Sequence, residues 1–92
     1  MTESERFIAE QVKTLVQKYD RMELNAAVSL SSFSVEFFVT LNGKKMQCFE
    51  MIDEGVFSEK KFNEVSKNIA NYFREQPDFK VDGINKYKVV LE

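Results

Sequence analysis

Histidine is absent from the 92 residues, and cysteine and proline occur once each. The missing histidine removes the commonest general base and the commonest metal ligand together. Serine triads that depend on histidine are excluded with it. A single thiol, Cys48, leaves no Cys/His zinc site and no internal disulfide. A reducing compartment is the natural reading, and the expected location is the cytoplasm. Gly43, Gly55 and Gly83 stand alone, so no glycine-rich loop cradles a phosphate. No apolar run approaches the ~18 residues of a membrane-spanning helix. The opening Met-Thr-Glu-Ser-Glu-Arg is acidic and polar, unlike a signal peptide. There is no Asn-x-Ser/Thr site. A net charge of -2 gives no bulk pull toward nucleic acid or a membrane surface.

What is present reads as one globular domain over residues 1–92, with 43% hydrophobic and 30% charged residues. A chain of this size buries roughly 60–65% of its unfolded surface, enough for one modest core. Nine Phe and three Tyr supply much of the core volume.

The strongest local signal spans residues 33–52. Phe33-Ser-Val-Glu-Phe-Phe-Val-Thr-Leu41 and Lys45-Met-Gln-Cys-Phe-Glu-Met-Ile52 flank Asn42-Gly43, the hairpin dipeptide. Its register is open from sequence. A two-residue loop pairs Leu41 with Lys44 and turns Met46, Cys48, Glu50 and Ile52 inward. A three-residue loop with Gly43 left-handed turns Phe49 and Met51 inward and leaves Met46, Cys48 and Glu50 outside. The second is preferred, because the first buries a carboxylate without an evident partner. Either register leaves Phe38 on the outer face with Glu36 and Thr40.

Upstream, Thr2 and Glu5 have capping-box spacing, and Ser4 is an alternative cap. Ile8, Val12, Leu15, Val16 and Tyr19 share one helical face, so a helix is expected to run to about Asp20 or Arg21. A strand over residues 23–30 has its apolar side at even numbers. From Phe33 the apolar positions are odd. The change of parity requires a tight turn at Ser31-Ser32 or, as the runner-up, a bulge in one long strand.

Downstream, Ser58 is placed as an N-cap, with Phe57 and Phe62 as a hydrophobic staple. Phe62, Val65, Ile69 and Phe73 form the apolar stripe of a helix that should stop near Glu75, ahead of Pro77. Residues 79–81, the Asp82-Gly83 turn signal and residues 87–91 read as a closing hairpin. The expected fold is therefore α+β. It is a two-layer sandwich of order α-β-β-β-α-β-β, with two helices on one face of an antiparallel sheet.

The catalytic inventory is thin. Cys48 lacks a histidine to lower its pKa and reads as a packing residue. Asp53-Glu54 is the one adjacent acidic pair, and it reads as a polar strand end. No cofactor, no metal and no enzyme activity are expected. Lys80, Lys86 and Lys88 are the residues a nucleic-acid contact would use, although basic edge strands also guard against edge-to-edge pairing. An RNA-binding sheet face needs aromatics among basic residues, and the glycine-aromatic pattern of such strands is missing.

Three stretches carry a family resemblance: Met22-Glu-Leu-Asn-Ala-Ala-Val28 with Ser34-Val-Glu-Phe-Phe-Val39, then Arg74-Glu-Gln-Pro77, then Asp82-Gly83 with Tyr87-Lys-Val-Val90. In this order they resemble the YezG-like immunity family, whose members neutralise secreted nuclease toxins in bacteria. Where that pattern places an aromatic after the helix-ending proline, this chain has Asp78, with Phe79 one residue later. The resemblance implies a cytoplasmic binder that occludes a partner protein, and small inhibitors of phages and other mobile elements fit the same description. The expected partner is thus another protein, of toxin or nuclease type, or a second copy of the chain. The expected contact surface comprises Glu36, Phe38, Thr40, Met46, Cys48 and Glu50.

Overall fold

A computed structural model describes residues 1–92. The elements run α1 Glu3–Lys13, β1 Arg21–Val28, β2 Phe33–Leu41, β3 Lys44–Gln47, α2 Cys48–Asp53, α3 Glu59–Arg74 and β4 Asn85–Leu91. The four strands form one antiparallel sheet in the order β3-β2-β1-β4. The α+β class and the packing of helices against one sheet are as the sequence predicts. The element order is α-β-β-β-α-α-β, with a short helix where the third strand was expected to continue and no strand at residues 79–81.

The parity argument holds in separating two strands, but the first spans Arg21–Val28 rather than residues 23–30, and Leu30, expected on the apolar side, is exposed in the turn. Val28 pairs with Phe33, and the Ser29 N–H bonds the Ser32 carbonyl at 2.8 Å, so a four-residue turn separates β1 from β2 and there is no bulge. Even residues of β1 and odd residues of β2 then share the inner face: Ala26 lies opposite Val35, Leu24 opposite Phe37, and Met22 opposite Val39. These side chains are buried together with Ile8 and Val12 of α1, Met51 of α2 and Phe62, Val65, Ile69 and Phe73 of α3. All three helices therefore sit on one face. The shortest dimension, 17 Å, matches one sheet and one helix layer.

The register of the second hairpin is the one not preferred from sequence. Leu41 pairs with Lys44, so Asn42 and Gly43 alone form the turn, with φ of 52° and 80°. Two consecutive positive φ values define the type I′ turn that Asn-Gly favours. The objection to this register was a buried Glu50, and it disappears because β3 ends at Gln47. Glu50 lies exposed in the first turn of α2, where its carboxylate accepts the Gln47 N–H at 3.3 Å. Helix α2 closes in a Schellman motif: Val56 N–H bonds the Met51 carbonyl at 2.9 Å and Gly55 N–H the Ile52 carbonyl at 3.0 Å, with Gly55 at φ 79°.

Helix α1 carries the expected capping box, Glu5 N–H to Thr2 Oγ1 at 3.1 Å and Thr2 N–H to Glu5 Oε1 at 2.8 Å. It stops at Lys13, earlier than the apolar periodicity suggests. The Thr14 hydroxyl bonds the Gln11 carbonyl at 2.7 Å, drawing a helical carbonyl onto a side chain. Leu15 is nevertheless buried, because the turn after the helix carries it into the same core.

Helix α3 begins at the predicted cap, with Lys61 N–H to Ser58 Oγ at 3.1 Å, and Phe57 and Phe62 stack at 6.2 Å. Its far end is tied to the sheet. Phe73 stacks on Tyr87 of β4 at 3.9 Å, and Tyr72 stacks on Phe7 of α1 at 4.3 Å. No closing hairpin forms because the Asn85 side chain takes the place of a strand partner. Its Oδ1 accepts Lys80 N–H at 2.9 Å, and its Nδ2 donates to the Lys80 carbonyl at 2.9 Å and to the Val28 carbonyl at 3.2 Å. Strand β4 pairs with β1 instead.

Candidate protein-interaction face

The sheet registers fix which residues share the face away from the helices. One row crosses all four strands as Gln47, Phe38, Glu23 and Val90. The row toward the β2–β3 turn holds Lys45, Thr40 and Arg21. On the other side lie Glu36, Asn25 and Lys88, then Ser34, Ala27 and Lys86. No helix lies over these residues, and Ser34, Glu36, Lys45, Lys86 and Lys88 are exposed.

Phe38 is the one aromatic ring on this face. It is half-buried by its neighbours, and the Lys45 ammonium stands 4.8 Å from the ring centroid. That distance is within the range of a cation–π contact. Lys88 Nζ reaches Glu23 Oε1 at 3.0 Å, and Arg21 reaches Glu92 Oε1 at 2.8 Å. The hydrogen bond and charge of Lys88 hold the Glu23 carboxyl below its ordinary range. Asn25, Ala27, Ser34, Glu36, Lys86 and Lys88 line a shallow depression of about 370 Å³. The face is therefore a low-relief surface, with small residues at its centre, charges of both signs around them and one aromatic to one side.

Of the contact residues expected from sequence, the structure brings Glu36, Phe38 and Thr40 together here. Met46, Cys48 and Glu50 are not with them. Met46 lies opposite Val39 and packs half-buried against the core on the inner side. Cys48 is fully buried as the first residue of α2. Burial pushes its thiol pKa up, which disfavours the reactive thiolate. Glu50 is on α2, engaged in capping. All three corrections follow from the two-residue turn and from the end of β3 at Gln47. The sequence already suggests Lys45 near Phe38, while Gln47, Glu23 and Asn25 are members of the face that sequence reasoning missed. For Gln47 the signal was the Asn-Gly turn taken at its commonest loop length, and for Glu23 and Asn25 it was the alternation of β1 itself, whose odd residues lie opposite the even residues of β2.

The basic alternative separates as well. Lys86 and Lys88 stand on the outer face of β4, while Lys80 lies in the loop before it. Lys88 is paired with Glu23, so its charge is locally offset. Nowhere do three or more His, Cys, Asp or Glu residues gather to hold a metal ion. No helix is long and apolar enough to cross a membrane. A scan against protein-family models and a search of curated proteins returned no match to this chain.

Proposed function

We propose that this chain is a noncatalytic protein-binding module of the immunity or inhibitor type, acting in the cytoplasm on a toxin-like or nuclease-like partner. The docking surface is the helix-free sheet face, with Phe38 as anchor and Glu36, Thr40, Lys45 and Gln47 around it. The observation that carries the reading is the position of Phe38: a half-buried ring on an uncovered face, bordered by polar and charged side chains. An aromatic anchor within a polar rim is the usual energetic layout of an interface. The sequence resemblance to YezG-like immunity proteins points the same way. The sparse chemistry, with no histidine and a buried thiol, favours occlusion over catalysis.

The test is affinity capture of a partner from the native host, followed by titration of that partner against wild type and Phe38→Asp. Loss of a central anchor weakens binding by roughly thirtyfold or more. Circular dichroism verifies that the variant keeps its fold. A folded Phe38→Asp that binds the partner with wild-type affinity removes this surface from the account.

A further inference from the structure

At the end of the sheet that carries the Asn42-Gly43 turn, on the helix side, lies a cleft of about 200 Å³. Its apolar lining is Val16, Val39, Leu41, Met46, Met51 and Val56. The fold builds it from three directions. The chain after α1 supplies Val16, the β2–β3 hairpin supplies Val39, Leu41 and Met46, and the Schellman end of α2 sets Val56 beside Met51. The remaining lining residues are Lys18, Asn42 and Lys44, all exposed, which places them at the mouth. No carboxylate lines the cleft. The nearby Asp20 side chain is turned onto the Asn42 N–H at 2.9 Å. Neither lysine has an ion-pair partner, since the two ion pairs of the molecule are Arg21–Glu92 and Lys88–Glu23.

An apolar interior bordered by two lysines without ion-pair partners matches a ligand with one negative head and one short apolar tail. We propose that the cleft binds a medium-chain monocarboxylate, its tail among Val39, Met46, Met51 and Val56 and its carboxylate between Lys18 and Lys44. The volume sets the size class. Drug-sized ligands occupy roughly 300–1,000 Å³, so this cleft is too small for a multi-ring compound. The site is on the opposite side of the sheet from Phe38 and does not depend on the docking surface described above.

The experiment titrates the isotopically labelled protein with butyrate, hexanoate, octanoate and decanoate, following the methyl signals of Val39, Met46, Met51 and Val56. Affinity should rise with tail length by up to about fourfold per methylene while the cleft fills. It should level off once the tail outgrows the cleft. Octanol tests the head group. Together with the double variant Lys18→Gln, Lys44→Gln it should show binding weaker by about fivefold, the scale of two exposed charge pairs. Both lysines are on the surface, so the double variant should fold normally. Absence of saturable shifts with octanoate overturns the proposal. Equal binding of octanol and octanoate, or an unaffected double variant, also overturns it, leaving a nonspecific apolar dimple. Shifts produced by an acidic apolar peptide and not by octanoate would reassign the cleft to a protein contact.

Discussion

Single side chains close this fold at places where its backbone has run out of partners. Arg74, the last residue of α3, is the clearest case. Its Nε donates to the Ser29 carbonyl at 2.9 Å, and its second terminal nitrogen donates to the Ser32 carbonyl at 3.1 Å. Its guanidinium also stands 5.7 Å from the centroid of Phe33. One side chain thus ties both ends of the β1–β2 turn together, supplying a donor to the Ser29 carbonyl and a second donor to a Ser32 carbonyl that already accepts the Ser29 N–H, and it stands beside the exposed Phe33 ring. The fork geometry of guanidinium suits two carbonyls at once, which an ammonium cannot match. Arg74→Ala should lower stability by about 2 kcal/mol, given the usual worth of charged hydrogen bonds at a partly exposed site. Arg74→Lys should recover less than half of that loss. Urea denaturation of the three proteins measures both values, and a fully restored lysine variant would show that charge alone matters. Asn85 acts in the same way on the 80–85 loop, and Glu50 on the start of α2. None of the three roles is written in a periodicity: the Arg74 contacts join residues more than forty apart in the chain, while those of Asn85 with Lys80 and of Glu50 are local bonds to backbone groups outside the regular hydrogen-bond ladders.

At the scale of elements, the sequence was legible wherever a pattern had room to repeat. Helix α3 shows its stripe over sixteen residues, and its cap, staple and stop lie where Ser58, Phe57 and Pro77 place them. The parity change between Leu30 and Phe33 located the β1–β2 turn. Short elements were not legible. Residues 48–53 contain Cys, Phe, Met and Ile in an order that alternation and helical spacing fit almost equally, and six residues are too few to decide. The Gly55 stop, which needs a positive φ, is what distinguishes a helix end there from a strand end. Reading residues 48–53 as strand puts Met46, Cys48 and Glu50 on the wrong face, so of the six residues expected together only Glu36, Phe38 and Thr40 share the helix-free face. The Asn42-Gly43 turn determines the register of β3 and with it the company of Phe38. Gly43 sits at φ 80° with open space around it, so Gly43→Ala adds backbone strain without a clash. The expected cost is about 1–2 kcal/mol. Thermal or urea unfolding measures it, while Gly83→Ala, where φ is not left-handed, should stay close to wild type. Equal effects at the two glycines would contradict the type I′ assignment.

The whole molecule is asymmetric about its sheet. Every helix and nearly every large apolar side chain lies on one side, and the other presents Phe38 among polar residues. The edges are guarded: β3 has only four residues and begins with two lysines, and β4 carries Lys86 and Lys88. Short or lysine-bearing edge strands resist addition of a further strand. Docking by the broad face is thus favoured over pairing at an edge. Helix α3 turns Lys60, Glu64 and Lys67 to solvent on the opposite side, and these residues serve as the internal reference. The decisive measurement is the amide-shift map of the labelled protein in complex with its captured partner. Perturbation should centre on Glu36, Phe38, Thr40, Lys45 and Gln47 and leave Lys60, Glu64 and Lys67 unchanged. A map centred on the solvent side of α3, with the Phe38 row undisturbed, would contradict the account.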